Sequence, residues 1–108
     1  MARSDPMAPA VEFTAELWEH STMPGSWFFV TLPEDCADDI AAVTEGAERR
    51  GFGSVRVEAT LGPSTWRTSV FPDKESGSYV LPVKKAVRSA AAIEAGDEVP
   101  VRLIVLLP

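Results

Sequence analysis

Gly25-Ser-Trp-Phe-Phe-Val-Thr-Leu-Pro33 and, half a chain later, Gly77-Ser-Tyr-Val-Leu-Pro82 decide the reading of the fold. Each leaves a turn through Gly-Ser, runs through an aromatic-led apolar stretch of strand type and closes on Leu-Pro. Outward from the first, Val11 to Glu19 alternates, with Val11, Phe13, Ala15 and Leu17 on one face and Glu12, Thr14 and Glu16 on the other. That pattern predicts a half-buried strand. His20 to Ser26 is turn chemistry. Trp27 to Leu32 is apolar on both faces and is expected to be covered on both. Pro33 suits the first position of a helix, where its missing N–H would find no partner anyway. Glu34 and Asp35 favour the positive end of that helix, and Ala37, Ile40, Ala41 and Val43 give it an apolar stripe that fades between Gly46 and Gly51.

The second stretch has the same surroundings. Val55 to Leu61 alternates, Gly62-Pro63 turns, and Thr65 to Phe71 returns. A two-residue loop there sets Glu58 opposite Arg67, Val57 opposite Thr68 and Arg56 opposite Ser69. Pro72 to Gly77 is a turn and Ser78 to Leu81 a short strand. Pro82 is expected to open a second helix through Ile93, with Val83, Ala86, Val87 and Ala90 on one face. Glu98 to Leu107 then forms a closing strand whose start Pro100 confines to an edge. Phe13 to Gly25 is 12 positions and Trp66 to Gly77 is 11, while Pro33 to Gly53 is 20 and Pro82 to Gly96 is 14. Two strand-and-helix units about a pseudo-twofold axis follow from this coarse repeat. The expected fold is mainly β with two short helices: residues 1–10 a tail and 11–108 one small β-barrel, which removes most free edges.

Composition agrees with one globular domain. The chain has 108 residues, 45% hydrophobic and 24% charged, within the range of folded proteins. Acids outnumber bases 16 to 10, for a net charge of −6, which disfavours nucleic acid and anionic membranes as partners. Cys36 has no second cysteine for an internal disulfide, and His20 alone cannot build a histidine metal site. No leader pattern stands at the start, and the longest apolar run, Leu103 to Leu107, is far short of a membrane span. A cytoplasmic protein is expected, a monomer or weak homodimer without metal or cofactor.

Four motifs together resemble one bacterial family. They are Gly53-Ser-Val-Arg-Val-Glu-Ala-Thr-Leu-Gly62, Trp66-Arg-Thr-Ser-Val-Phe-Pro72, Gly77-Ser-Tyr-Val-Leu-Pro-Val-Lys84-Lys85 with Arg88, and Ala95-Gly-Asp-Glu-Val99. The family is a domain of unknown function found alone or ahead of a bacteriocin-protection (YdeI/OmpD-associated) segment, and the resemblance spans about residues 11–107. It implies a double-split β-barrel akin to regulators of the AbrB type, and no established activity. The chain differs from fused members in ending at Pro108, and it has Tyr79 where some relatives carry an imidazole.

The candidate site comes from charge. With Pro33 laid on Pro82, Asp35 falls opposite Lys84 and Asp39 opposite Arg88. Cations at a helix start oppose its dipole by about 0.3–1 kcal/mol each, and a local rule broken without visible gain often marks function. Lys84, Lys85 and Arg88, joined by Arg67 and Tyr79, are therefore the candidate ligand-binding residues for a small anionic or polar ligand. Each has a plainer alternative. The lysines and Arg88 suit a solvated face paired with Asp73, Glu75 or Glu94, and Arg67 suits a cross-strand pair with Glu58. Trp66 and Tyr79 either line a pocket or fill the core, and Trp18 and Trp27 read as core.

No catalytic set assembles. Acids at positions 34, 35, 38 and 39 would raise a Cys36 thiol pKa, and the same acids spread around a helix without EF-hand spacing. Ser69 and Ser76 have no visible base. A binding module without enzymatic activity is the expected function. The alternatives are nucleic-acid binding of the AbrB type and protein interaction through an exposed strand edge near Pro100.

Overall fold

The hairpin at Gly62-Pro63 shows how local chemistry sets the scaffold. Gly62 has φ 58°, in the left-handed region that suits glycine, and the Pro63 ring holds its own φ negative. A two-residue loop results, and Glu58 pairs with Arg67, Val57 with Thr68 and Arg56 with Ser69. The computed structural model describes residues 10–22, 25–44 and 53–106. Its elements are β1 (Ala10–Ser21), β2 (Ser26–Thr31), α1 (Glu34–Thr44), β3 (Val55–Leu61), β4 (Ser64–Asp73), β5 (Ser78–Pro82), α2 (Lys85–Ala91) and β6 (Glu98–Val105). Of the tail expected over 1–10, Ala10 already pairs with Ile104, and residues 1–9 lie outside the described residues.

The strands close into one antiparallel barrel in the order β1-β2-β5-β4-β3-β6. Exchanging β1, β2 and β3 with β4, β5 and β6 leaves that circular order unchanged. β1 and β4 each serve two neighbours. Ala10 to Glu16 of β1 pair with β6, while Leu17 to Ser21 pair with β2. Ser64 to Val70 of β4 pair with β3, while Phe71 to Asp73 pair with β5. Alternation along these strands sends Leu17, Val30, Val57, Ala59, Val70, Leu81 and Leu103 into a fully buried core. Each Leu or Val removed from water in this way contributes roughly 1.5–3 kcal/mol before the entropy of ordering is set against it. Ile40 joins the same core from α1.

Several boundaries differ from the sequence pattern. β1 continues through His20 to Ser21, because His20 pairs with Trp27 and Ser21 with Ser26, so the turn is shorter than expected. β2 is not covered on both faces: Phe28 and Phe29 are half-buried, and Trp27 is exposed. The strand covered on both sides is β5, whose Ser78, Tyr79, Val80 and Leu81 are all buried. The second helix does not begin at Pro82. Val83 donates its N–H to the Phe28 carbonyl (2.9 Å), which holds the chain extended past Pro82, and α2 starts at Lys85. It ends at Ala91, with Ala92 left-handed (φ 56°), two residues short of Ile93. Pro100 pairs only on its β1 side, with Thr14, because β3 meets β6 only from Arg102 onward. The edge expected there is therefore confined to the first residues of β6.

Candidate functional site

β4 turns away from β5 at Val70, and the residues before that bend face the junction of β5 with α2 across a gap. Ser26, Trp27 and Phe28 from the start of β2 form one side of this gap, and Trp66, Arg67 and Thr68 of β4 form another. Pro82 to Lys85 and Arg88 form the third. The cleft has a volume of about 370 Å³. Arg67, Lys84, Lys85 and Arg88 all line it, so four of the five candidate residues come together although β4 and α2 are separate in sequence. Four of the chain's ten Lys and Arg residues thus share one small cleft in a protein of net charge −6. Among the described residues, none of those lining it is a carboxylate.

The cations differ in how they are held. Arg88 stacks its guanidinium over the Phe28 ring at 3.7 Å from the centroid and donates from Nε to the Val83 carbonyl (3.3 Å). Such stacking contributes about 0.5–2 kcal/mol depending on desolvation, and it fixes Arg88 as part of the wall. Arg67 lies 4.0 Å from Glu58, at the outer limit of an ion pair, with 68% of its side chain exposed. An exposed pair this long contributes little, so Arg67 stays available to a ligand. Lys84 and Lys85 are exposed, and neither makes an ion pair with any described residue. Lys84 caps α2 without a side-chain hydrogen bond; its carbonyl accepts from Val87 (3.0 Å) and Arg88 (3.1 Å).

Tyr79 is not part of this cleft. It is 7% exposed on β5, within the hydrophobic core, and its carbonyl accepts the Leu32 N–H (2.9 Å). The plain core alternative describes its position. The aromatics that do line the cleft are Trp27, Phe28 and Trp66. Trp27 is 61% exposed, among the largest apolar groups left in water. Its place at the beginning of a strand, directly after Gly25-Ser26, was the available signal: a strand's first residue has covering neighbours on fewer sides.

A profile of the family described as Domain of unknown function (DUF1905) matches residues 13–103. The chain belongs to that family. The DUF1905 match runs from Phe13 in β1 to Leu103 in β6, so every element that lines the cleft lies inside it. No curated protein matches the chain.

The remaining candidates of this DUF1905 domain lie elsewhere. Cys36 is buried in the first turn of α1, its Sγ 4.0 Å from the Glu12 carbonyl oxygen. Burial raises the thiol pKa above its ordinary value, and the charges of Asp35 and Asp39 raise it further. A thiol held protonated in this way is a poor nucleophile. The acids of α1 do not gather with any His or Cys into a group of three metal ligands among the described residues. His20 is exposed on β1. No helix among the described residues is long and apolar enough to cross a membrane.

Proposed function

We propose that this domain is a non-enzymatic binding module that holds a small oxyanion in the cleft between β2, β4 and α2. One observation carries the proposal: Arg67, Lys84, Lys85 and Arg88 converge on about 370 Å³ of space with no carboxylate among the described lining residues. Four like charges in one place repel each other unless an anion or solvent screens them, and low-dielectric aromatic walls strengthen their pull on an anion. The cleft's volume sits at the small end of ligand sites, which suits a small molecule. Support for binding without catalysis comes from the lining, which among the described residues offers no carboxylate, imidazole or thiol. A thermal-shift series with phosphate, sulfate and acetate tests the proposal. A melting temperature that rises with anion concentration in the native protein, and less in Arg67→Ala, is expected. No rise with any anion would remove the proposal.

We also infer that the barrel is a double-split barrel of the AbrB type. The division of β1 and β4 between two partners each, and the circular order that survives exchange of the halves, support this. Kinship of fold does not bring nucleic-acid binding with it. A twofold reader would want cations at both helix starts, and α1 begins with Glu34 and Asp35. We place the module in the cytoplasm of a bacterium, in keeping with a free, buried thiol and no disulfide among the described residues.

A further inference from the structure

The cations account for an anion, but not every aromatic side chain in the same cleft has a role within the fold. Phe28 has one, as the surface on which Arg88 stacks. Trp66 has another, half-buried and packed against the core, but Trp27 has none. Trp27 is 61% exposed and makes no ring contact with any described residue, whereas Trp18, on the same hairpin, stacks on Phe29 at 5.0 Å and donates from Nε1 to Thr31 Oγ1 at 2.9 Å. An indole left mostly in water beside a cationic cleft gains little from packing there. An indole surface next to fixed positive charge has a natural complement, which is a planar ring bearing an oxyanion. The ring stacks on the indole, and the anion reaches the ammonium and guanidinium groups.

We propose that the cleft selects a small aryl oxyanion, a single planar ring carrying a phosphate or carboxylate, over a bare inorganic anion. Trp27, with Trp66 beside it, receives the ring; Lys84, Lys85 and Arg67 receive the anion; Arg88, fixed on Phe28, closes the wall between them. The inference rests on the anion-binding proposal and deepens it by naming the ligand's second part. A volume of about 370 Å³ accommodates one ring with its charged group, not a run of stacked bases.

Isothermal titration with phenyl phosphate, benzoate, inorganic phosphate and phenol separates the two levels. Phenyl phosphate is expected to bind roughly tenfold more tightly than inorganic phosphate, the usual yield of one aromatic stack. Phenol, lacking the charge, is expected to bind far more weakly than either. Comparison of phenyl phosphate with benzoate assigns the oxyanion as phosphate or carboxylate, and preference for either supports the proposal. Trp27→Ala should abolish the tenfold preference by weakening phenyl phosphate much more than inorganic phosphate, and Lys84→Ala should weaken both ligands. Equal affinity for phenyl and inorganic phosphate, unaffected by Trp27→Ala, would overturn the ring inference and leave the anion proposal standing. Failure of every anion to bind would overturn both. A short thymidine oligonucleotide that binds more tightly than phenyl phosphate would also overturn it, in favour of a nucleic-acid strand.

Discussion

Where β2 runs into α1, Leu32, Cys36, Ala37 and Ile40 are all buried, and β5 closes over Leu32. Ser78 Oγ donates to its carbonyl at 2.8 Å, and its N–H donates to Tyr79 at 2.9 Å. Where β5 runs into α2, Val83 and Val87 are buried, yet Lys84 and Lys85 stand in water and a cleft separates the helix from Trp66 and Arg67 of β4. Both corners follow a Leu-Pro step at the end of a strand. Helix length divides them. α1 runs eleven residues with Cys36, Ala37 and Ile40 facing the barrel, while α2 runs seven and buries Val87 alone. A short helix with one buried residue cannot fill the space that the longer helix fills. One corner holds the barrel together, and the other leaves room for a ligand.

The largest expected effect lies at the filled corner. Ile40→Ala removes a fully buried side chain from α1 and should cost about 2–5 kcal/mol in chemical denaturation. A loss under ~1 kcal/mol would mean that the first corner is as loosely built as the second. Gly62→Ala comes next. Its φ of 58° strains an alanine, and the added Cβ would meet the Ala91 Cβ of α2 at 3.0 Å. A destabilisation of roughly 1–3 kcal/mol is expected, because the hairpin loop and α2 press against each other. If the variant matches the native protein, α2 is not held in place by that loop.

The smaller effects sharpen the contrast. Ala92→Gly relieves the left-handed alanine that ends α2 (φ 56°) and should gain about 0.5–1 kcal/mol, read as a higher melting temperature. Lys84→Ala should change stability by less than about 0.5 kcal/mol, as expected for an exposed residue without an ion pair. A greater loss would assign Lys84 to the scaffold. At Cys36, the folded thiol pKa is raised, first by burial and then by Asp35 and Asp39. The stability linked to the neutral thiol is therefore complete below the unfolded thiol's pKa, about 8.5, and is lost as pH rises through the folded value. Stability should decline as solutions become alkaline in native protein and decline less in Cys36→Ala.

Most of the fold could be read from residues whose chemistry acts locally. Gly62-Pro63 dictates its loop and thereby three cross-strand pairs, and the alternation from Val55 to Leu61 identifies the inward face without further information. The start of α2 could not be read this way. Proline favours a first helical turn, but a hydrogen bond from Val83 to Phe28, 55 residues away in sequence, keeps the chain extended. The site was half legible. Charge singled out Lys84, Lys85 and Arg88, and Arg67 joined them only as a suggestion, since no local pattern says where β4 parts from β5. Tyr79 and Trp27 exchanged places for one reason: both are aromatics near a strand's start, and which of them is covered depends on neighbours distant in sequence.

Amide chemical-shift mapping during titration with phosphate tests the division between the two corners most directly. Shifts confined to residues 26–28, 66–68 and 82–88, with those around Leu32 to Ala37 unmoved, are the expected result. Shifts that centre on α1, or none at saturating phosphate, would contradict it.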